Sequence, residues 1–250
     1  MFRPVGIFDS GMGGISVLKE AVKLLPNEQF LFYGDNAHAP YGTKTPQQID
    51  ACVQSVVDKL LAQNIKALLI ACNTATAASA KRLRAELTIP VIGMEPALKP
   101  AHELRRSGQI LVLATPATLR MEKFRHLMEL YGEGAVPVAG YGLVECVESG
   151  HICDENVMQV LHNLLDAHLQ KPTDAIVLGC THYPFIRAAL AQVAPNIPLI
   201  DGNLGTVRQL RRVLEARSLL CPPNVQGGYS LHTTGDPDCF LPLMEHLMQL

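Results

Sequence analysis

The sequence predicts an α/β protein built as two pseudo-symmetric α/β domains with mostly parallel sheets and an active site in the interdomain cleft. Three observations predict it. Apolar runs of strand length alternate with helix-length patterns along the 250 residues, which is the signature of βαβ units. Two of the runs, LLIACNTAT over 68–76 and IVLGCTHYP over 176–184, each deliver an apolar stretch onto a cysteine, with a helical pattern beyond it. The spacing also repeats: Cys180 follows Cys72 by 108 residues, Pro198 follows Pro90 by 108, and Thr115 follows Ser10 by 105. A near-constant offset across three strand-to-turn junctions points to two similar units. Ligands of such sheets bind at the carboxyl ends of strands, so the site is expected between the units.

The elements follow in order. Val5 to Phe8 is an apolar strand running into Asp9, Ser10, Gly11, Met12, Gly13 and Gly14, then a helix from about Ile15 to Leu25. Glycines let backbone amides approach a ligand and a helix N-terminus adds positive charge, so this turn suits a carboxylate or phosphate. A plain strand-to-helix turn has the same spacing. Gln29 to Tyr33 is the next strand, ending in a polar loop with Asp35 upstream of Pro40, Tyr41 and Gly42, where an open sheet places ligand contacts. A helix from about Pro46 to Gln63 leads to the first cysteine strand, a small-residue helix from Ala75 to Leu87, and a strand from Pro90 to Gly93. Met94 to Pro100, with Glu95 and Pro96, is either a change of domain or a connecting loop.

The second set opens with a strand over 109–114, after which Thr115 to Thr118 turn into one helix through about Tyr131. Val136 to Val138 is a strand, Tyr141 to Gly150 carries Glu145 and Glu148, and Asn156 to Leu169 is an amphipathic helix. The second cysteine strand follows, with a helix starting beyond Pro184. Pro198 to Ile200 is the last strand, Asp201 to Gly205 a polar turn, and Thr206 to Ala216 a basic helix. The tail contains TTGDP over 233–237 and a Met-rich closing helix.

Composition excludes several classes. Hydrophobic residues are 48% and charged residues 18%, with a formal net charge of −2, so the chain has no electrostatic footprint for nucleic acid. Its apolar runs are too short for a membrane span. The N-terminus reads directly into a strand with no signal-peptide pattern, and a cytoplasmic location is expected. Seven cysteines, odd in number and widely spread, are expected to be reduced thiols. With no CxxC pair and no Cys/His clustering at zinc-ligand spacing, no metal is expected.

Pseudo-symmetry would set Cys72 and Cys180 on opposite walls of one cleft. Each is expected at the start of a helix, whose dipole would lower a free thiol from about 8.5 towards neutrality. Asp9 and His182 are candidate proton partners. One thiol could remove a proton from a substrate carbon while the other returns one to the opposite face, which is racemisation without a cofactor. The remaining cysteines read as small buried apolar residues.

These residues carry a resemblance. DSGMGG (9–14), PYG (40–42), ACNTAT (71–76), PVIGMEPALKPA (90–101), GCTHYP (179–184) and TTGDP (233–237) closely resemble the signatures of bacterial glutamate racemase, within the aspartate/glutamate racemase superfamily. The match runs nearly end to end, and the motifs are specific as a set. It implies a cofactor-independent two-base enzyme that interconverts L- and D-glutamate and supplies the D-isomer for peptidoglycan. It implies that Cys72 takes the α-proton from D-glutamate with the help of Asp9, and Cys180 from L-glutamate with the help of His182. Asp9 with Ser10, Tyr41 with Gly42, Asn73 with Thr74, and Thr181 with His182 match the pairs that hold substrate; Asp35, Thr115, Thr118 and Glu148 match secondary positions. The resemblance further implies a first domain of residues 1–97 plus 210–250, a second of 98–209 inserted between its halves, and a homodimer.

The sequence departs from the family pattern in two places. AGYGLVECVESG lacks the cysteine-proline start many members have, which leaves the assignment of Glu148 open, and Gly202 stands where serine is usual. Members activated by a peptidoglycan precursor carry an extension before the first strand; none is read here, so that regulation is not expected. Aspartate as substrate, or a catalytically silent glutamate-binding or partner-inhibiting protein, are the alternatives, and retention of both cysteines speaks against the second. The lack of CxxC disfavours a thiol redox protein.

Overall fold

Residues 3–250 are described in the computed structural model; Met1 and Phe2, where the reading of the N-terminus begins, lie outside the described residues. The strands are β1 (Val5–Asp9), β2 (Gln29–Gly34), β3 (Ala67–Ile70), β4 (Val91–Gly93), β5 (Gln109–Ala114), β6 (Ala135–Ala139), β7 (Thr173–Leu178), β8 (Leu199–Asp201) and β9 (Gly228–Thr233). The helices are α1 (Ile15–Leu24), α2 (Pro46–Ala62), α3 (Asn73–Glu86), α4 (Leu98–Leu104), α5 (Pro116–Arg120), α6 (Glu122–Tyr131), α7 (Leu143–Glu148), α8 (Glu155–Leu169), α9 (Arg187–Val193), α10 (Asn203–Ala216) and α11 (Pro237–Gln249).

All pairings are parallel. The first sheet runs β4-β3-β1-β2-β9 and the second runs β8-β7-β5-β6, so four strands of each sheet correspond one for one. The offset seen in the sequence is therefore a repeat of topology, with β9 as an addition to one copy. Both sheets are covered on both faces, which explains why their strands read as unbroken apolar runs. Val5 and Ile7 of β1 face a core shared with α1, α10 and α11, while Phe8 faces a core shared with α2 and α3. In the second sheet Ile176 and Leu178 pack with α7, α8 and α9, and Ala175 and Val177 with α4 and α6.

Local chemistry sets the helix starts. Thr45 caps α2 in a reciprocal box with Gln48, with Pro46 in the first turn, and Asp154 accepts the amides of Asn156 and Val157 at the head of α8.

Several elements differ from the sequence reading, α4 and α7 among them, where no helix was foreseen. The single helix expected over 115–131 is two, because Met121 is extended (φ −70°, ψ 143°) and caps α6, its carbonyl accepting the amides of Phe124 and Arg125. Its side chain packs on the α2/α3 core of the other unit, which draws the chain out of helix there. β9 was not foreseen: as an edge strand it leaves Tyr229, Ser230 and His232 exposed and shows no apolar run. The division expected at 209/210 falls inside α10, whose Val207, Leu210 and Leu214 pack in the α1 core, so this helix covers the first sheet from Asn203 onwards. Among the described residues no helix is long and apolar enough to cross a membrane.

Candidate active site

In each sheet the chain leaves its first strand in one direction and returns on the other side, placing a topological switch point between β1 and β3 and between β5 and β7. The carboxyl ends at both points bound one small cavity of about 20 Å³. Ser10, Tyr41, Gly42, Cys72, Asn73 and Thr74 line it from the first unit, and Thr115, Cys180, Thr181 and His182 from the second. Both thiols therefore border one small cavity. Open surface grooves of about 700 and 850 Å³ lie elsewhere and hold neither thiol.

Cys72 is the N-cap of α3, where its Sγ accepts the amide of Ala75 at 3.4 Å and lies 3.3 Å from Oγ of Ser10. The helix start was expected to lower this thiol. Burial, followed by the charge of Asp9, instead pushes it well above the usual range, outweighing the Ser10 and Ala75 contacts. Asp9 itself is fully buried, with Oδ2 accepting the amide of Gly14 at 2.7 Å and Oδ1 the hydroxyl of Thr181 at 3.4 Å. Burial raises its carboxyl, against the opposing charge of His182 and the Gly14 amide.

Cys180 is placed differently. No α-helix begins at it: a turn leads to a 3-10 segment at Tyr183–Ile186, and α9 starts only at Arg187. Its partner is a side chain, His182, whose Nδ1 lies 3.6 Å from Sγ. The far nitrogen of that ring, Nε2, is 2.6 Å from Oε1 of Glu148. Burial alone would discharge His182, but Cys180 and Glu148 on its two sides raise it well above its ordinary value. Burial likewise pushes Glu148 up, and His182, the Met12 amide and Asn36 outweigh it and hold the carboxyl below its ordinary value.

The glycine-rich turn does bind a carboxylate, and the carboxylate is the protein's own. Met12 donates its amide to Oε1 of Glu148 at 2.9 Å. A Cβ added at Gly11 would lie 2.2 Å from Oε1 of Glu148, and one at Gly13 would lie 2.3 Å from Nδ1 of His182. These glycines are what allow the Glu148–His182 pair to seat against the first unit.

Of the residues singled out in the sequence, Asp9, Asp35, Thr118 and Glu148 stand behind the cavity wall rather than on it. Asp35 is buried and accepts the hydroxyl of Tyr41 at 2.6 Å. Thr118 closes a ring of hydroxyls with Thr74 and Thr115, at 2.9 to 3.0 Å, that joins the two units. Oδ1 of Asn73 is buried without a partner in the cavity wall. Val144 lines the cavity and Asn36 donates to Glu148 at 3.0 Å; sequence reasoning singled out neither. Asn36 was findable, since it lies beside Asp35 in the same polar loop, whereas Val144 looks like any core valine.

All seven cysteines are free thiols. Asp35, His38 and Cys52 do bring ligand atoms within 4.8 Å of one another, a grouping their spacing did not suggest. Both oxygens of Asp35 are already engaged there, by His38, Thr234 and Tyr41.

Two thiols lining one cavity at paired switch points are a specific arrangement, and the model of the Asp/Glu/hydantoin racemases matches this chain over residues 12–210. The chain belongs to the Asp/Glu/hydantoin racemase family. Within that family it is 46% identical over 251 aligned positions to a glutamate racemase of Clostridium acetobutylicum, covering 99% of this chain and 98% of the relative. The crystal structure of glutamate racemase from Francisella tularensis in complex with D-glutamate is 30% identical, with a TM-score of 0.85 over 99% of this chain and 94% of that one. The Escherichia coli glutamate racemase, solved with L-glutamate and the activator UDP-MurNAc-Ala, is 29% identical with a TM-score of 0.86, covering 98% and 95%. The two-sheet architecture with its paired switch points is thus that of this racemase family.

Proposed function

We propose that this racemase interconverts L- and D-glutamate without a cofactor, with Cys72 and Cys180 as opposed acid and base. The observation that carries the reading is the one small cavity lined by both thiols. The chain's similarity over its full length to proteins named glutamate racemase supports glutamate over aspartate.

The reaction removes the α-hydrogen as a proton from one face and returns a proton to the other. In the L-to-D direction Cys180 accepts the proton and Cys72, as the thiol, gives one. The enzyme is then left with its two protonation states exchanged, ready for the reverse direction. Burial favours the neutral thiol at Cys72 and so suits it to the donor role at rest. His182, charged and fixed by Glu148, is the proton partner of Cys180.

Negative charge develops on the substrate as the proton leaves, and a water-poor site strengthens each dipole aimed at it. The hydroxyls of Ser10, Thr74 and Thr181 stand at the cavity for that task, and the unpartnered Oδ1 of Asn73 suits the substrate ammonium. Supply of D-glutamate for peptidoglycan, a cytoplasmic location and a homodimer belong to the same proposal.

The test is a circular-dichroism assay on each enantiomer with no added cofactor, paired with α-hydrogen exchange of glutamate and of aspartate in deuterated water. Racemisation and exchange of glutamate are expected. Faster exchange of aspartate would reassign the substrate, and glutamate binding without exchange would leave a silent binding protein.

A further inference from the structure

The motif TTGDP has no task in the mechanism above, yet its two threonines each begin a chain of hydrogen bonds that ends at the cavity. The amide of Gly235 donates to Oγ1 of Thr233 at 3.0 Å, which leaves that hydroxyl's own proton for Oδ1 of Asn36 at 2.8 Å. With its oxygen engaged, Asn36 turns its amide nitrogen to Oε2 of Glu148 at 3.0 Å. Glu148 then holds Nε2 of His182 at 2.6 Å, and Nδ1 of His182 reaches Sγ of Cys180 at 3.6 Å. The direction of each donor is fixed by the link before it, so the orientation of Asn36 is not free.

The second threonine serves the other wall. The amide of Ala37 donates to Oγ1 of Thr234 at 3.1 Å, and Thr234 donates to Oδ1 of Asp35 at 2.6 Å. The other oxygen of Asp35 accepts the hydroxyl of Tyr41 at 2.6 Å, and Tyr41 lines the cavity. Both chains start where β9 ends, at its last residue Thr233 and at Thr234 just beyond it, and β9 is the strand that has no counterpart in the second sheet.

We propose that the turn over 233–237 is a positioning element for catalysis. Thr233, through Asn36 and Glu148, holds His182 in the orientation that serves Cys180; Thr234, through Asp35, holds Tyr41 against the substrate. Neither threonine touches the reacting atoms. The inference rests on the two-base reading, with Cys180 as one of the bases.

A two-base racemase offers a readout that a purely structural role would not move. The isotope effect from α-deuterated substrate reports the step in which the hydrogen leaves. Slowing only the Cys180 step raises that effect for the enantiomer Cys180 deprotonates and lowers it for the other, whose hydrogen leaves to Cys72. Thr233→Val removes the hydroxyl at nearly constant size and is expected to lower kcat roughly five- to tenfold, about the value of one hydrogen bond, with the two isotope effects moving apart. Thr233→Ser restores both. Thr234→Val is expected to raise KM for glutamate several-fold, with the isotope effects keeping their wild-type ratio. A Thr233→Val enzyme with wild-type kcat, or with lowered kcat and both isotope effects shifted in the same sense, overturns the proposal. Should that variant not fold, Asn36→Ala breaks the same chain one link further on and is read the same way. Failure of the two-base reading is seen separately, as racemisation surviving in Cys180→Ser.

Discussion

Met12 of the first unit donates its backbone N–H to Oε1 of Glu148 of the second at 2.9 Å, and that same oxygen is held by His182 at 2.6 Å. One carboxylate thus docks the two units and sets the charge of the imidazole beside Cys180. Its titration should therefore appear in stability. Glu148 lies below its ordinary value of 4.5, so its contribution is present above that pH and lost as pH falls through the lower folded value. His182 lies above its ordinary value of 6.5, so its contribution is complete below that pH and lost as pH rises through the higher folded value. The pair contributes fully between these two limits. The difference in Tm between wild type and Glu148→Gln is expected to be widest from about pH 4.5 to 6.5 and to narrow on both sides. A difference that stays flat from acid to alkaline pH would show that the pair does not ionise as described.

Replacing either thiol should stop the reaction in both directions, since one base alone can exchange a proton on one face but cannot invert the carbon. Cys72→Ser and Cys180→Ser are each expected to lose roughly 10²–10⁴-fold in kcat, the usual weight of a positioned acid or base, because a serine hydroxyl is a far weaker acid than a thiol. Both variants should keep the wild-type far-ultraviolet spectrum, oxygen being smaller than sulfur in a site already lined by hydroxyls. Substantial turnover in either one would refute the two-base assignment.

Gly13 tests whether the glycine-rich turn works by making room. Its Cβ would lie 2.3 Å from Nδ1 of His182, and its backbone is not in the left-handed region, so alanine introduces a clash and no backbone strain. Gly13→Ala is expected to displace the imidazole from Cys180, lowering kcat at least tenfold and stability by about 1–3 kcal/mol. Thermal unfolding and the racemisation assay separate the two. Wild-type kcat in a folded Gly13→Ala enzyme would mean that His182 need not sit where it does.

Much of this was legible in the sequence because parallel strands are buried on both faces and announce themselves as apolar runs. The cysteines were legible because each ends such a run, and the repeat because homologous junctions keep their spacing. β9 was hidden because an edge strand needs no apolar face, and the break at Met121 because it is made by packing across the units rather than by any local residue. The behaviour of Cys72 was misjudged for a related reason. A helix start is visible in the sequence, whereas full burial beside Asp9 is a property of the assembled cleft, and burial dominates. Glu148 was a faint match until the fold brought it to His182, 34 residues away in the chain.

Ser10 is the side chain that, with the Ala75 amide, works against that burial. Its Oγ lies 3.3 Å from Sγ of Cys72 and favours the charged form of the thiol. Ser10→Ala should raise the thiol further, so the pH dependence of Cys72 alkylation, followed in a Cys180→Ser background, is expected to move to higher pH. In the otherwise wild-type enzyme kcat should fall roughly fivefold, as for one lost hydrogen bond. An unchanged alkylation profile would assign the Ser10 contact to packing alone.

Far from the cavity, Lys66 and Glu28 form a buried ion pair at 2.5 Å, exposed by only 4% and 2%. Lys66 also donates to the carbonyl of Leu219 at 2.7 Å, and Glu28 accepts the amide of Cys221 at 2.7 Å. The pair therefore ties the starts of β2 and β3 to the segment that leads the chain back to β9, and so holds the strand whose end carries Thr233. Lys66→Met leaves a carboxylate buried without its cation, a change that costs about 3–5 kcal/mol. The double variant Glu28→Met/Lys66→Met removes the stranded charge and is expected to recover part of that loss, by an amount a double-mutant cycle reads directly. Both variants should keep wild-type kcat at temperatures where they are folded, because neither residue reaches the cavity. A single Lys66→Met variant as stable as wild type in urea unfolding would show that Glu28 is solvated or protonated there rather than paired.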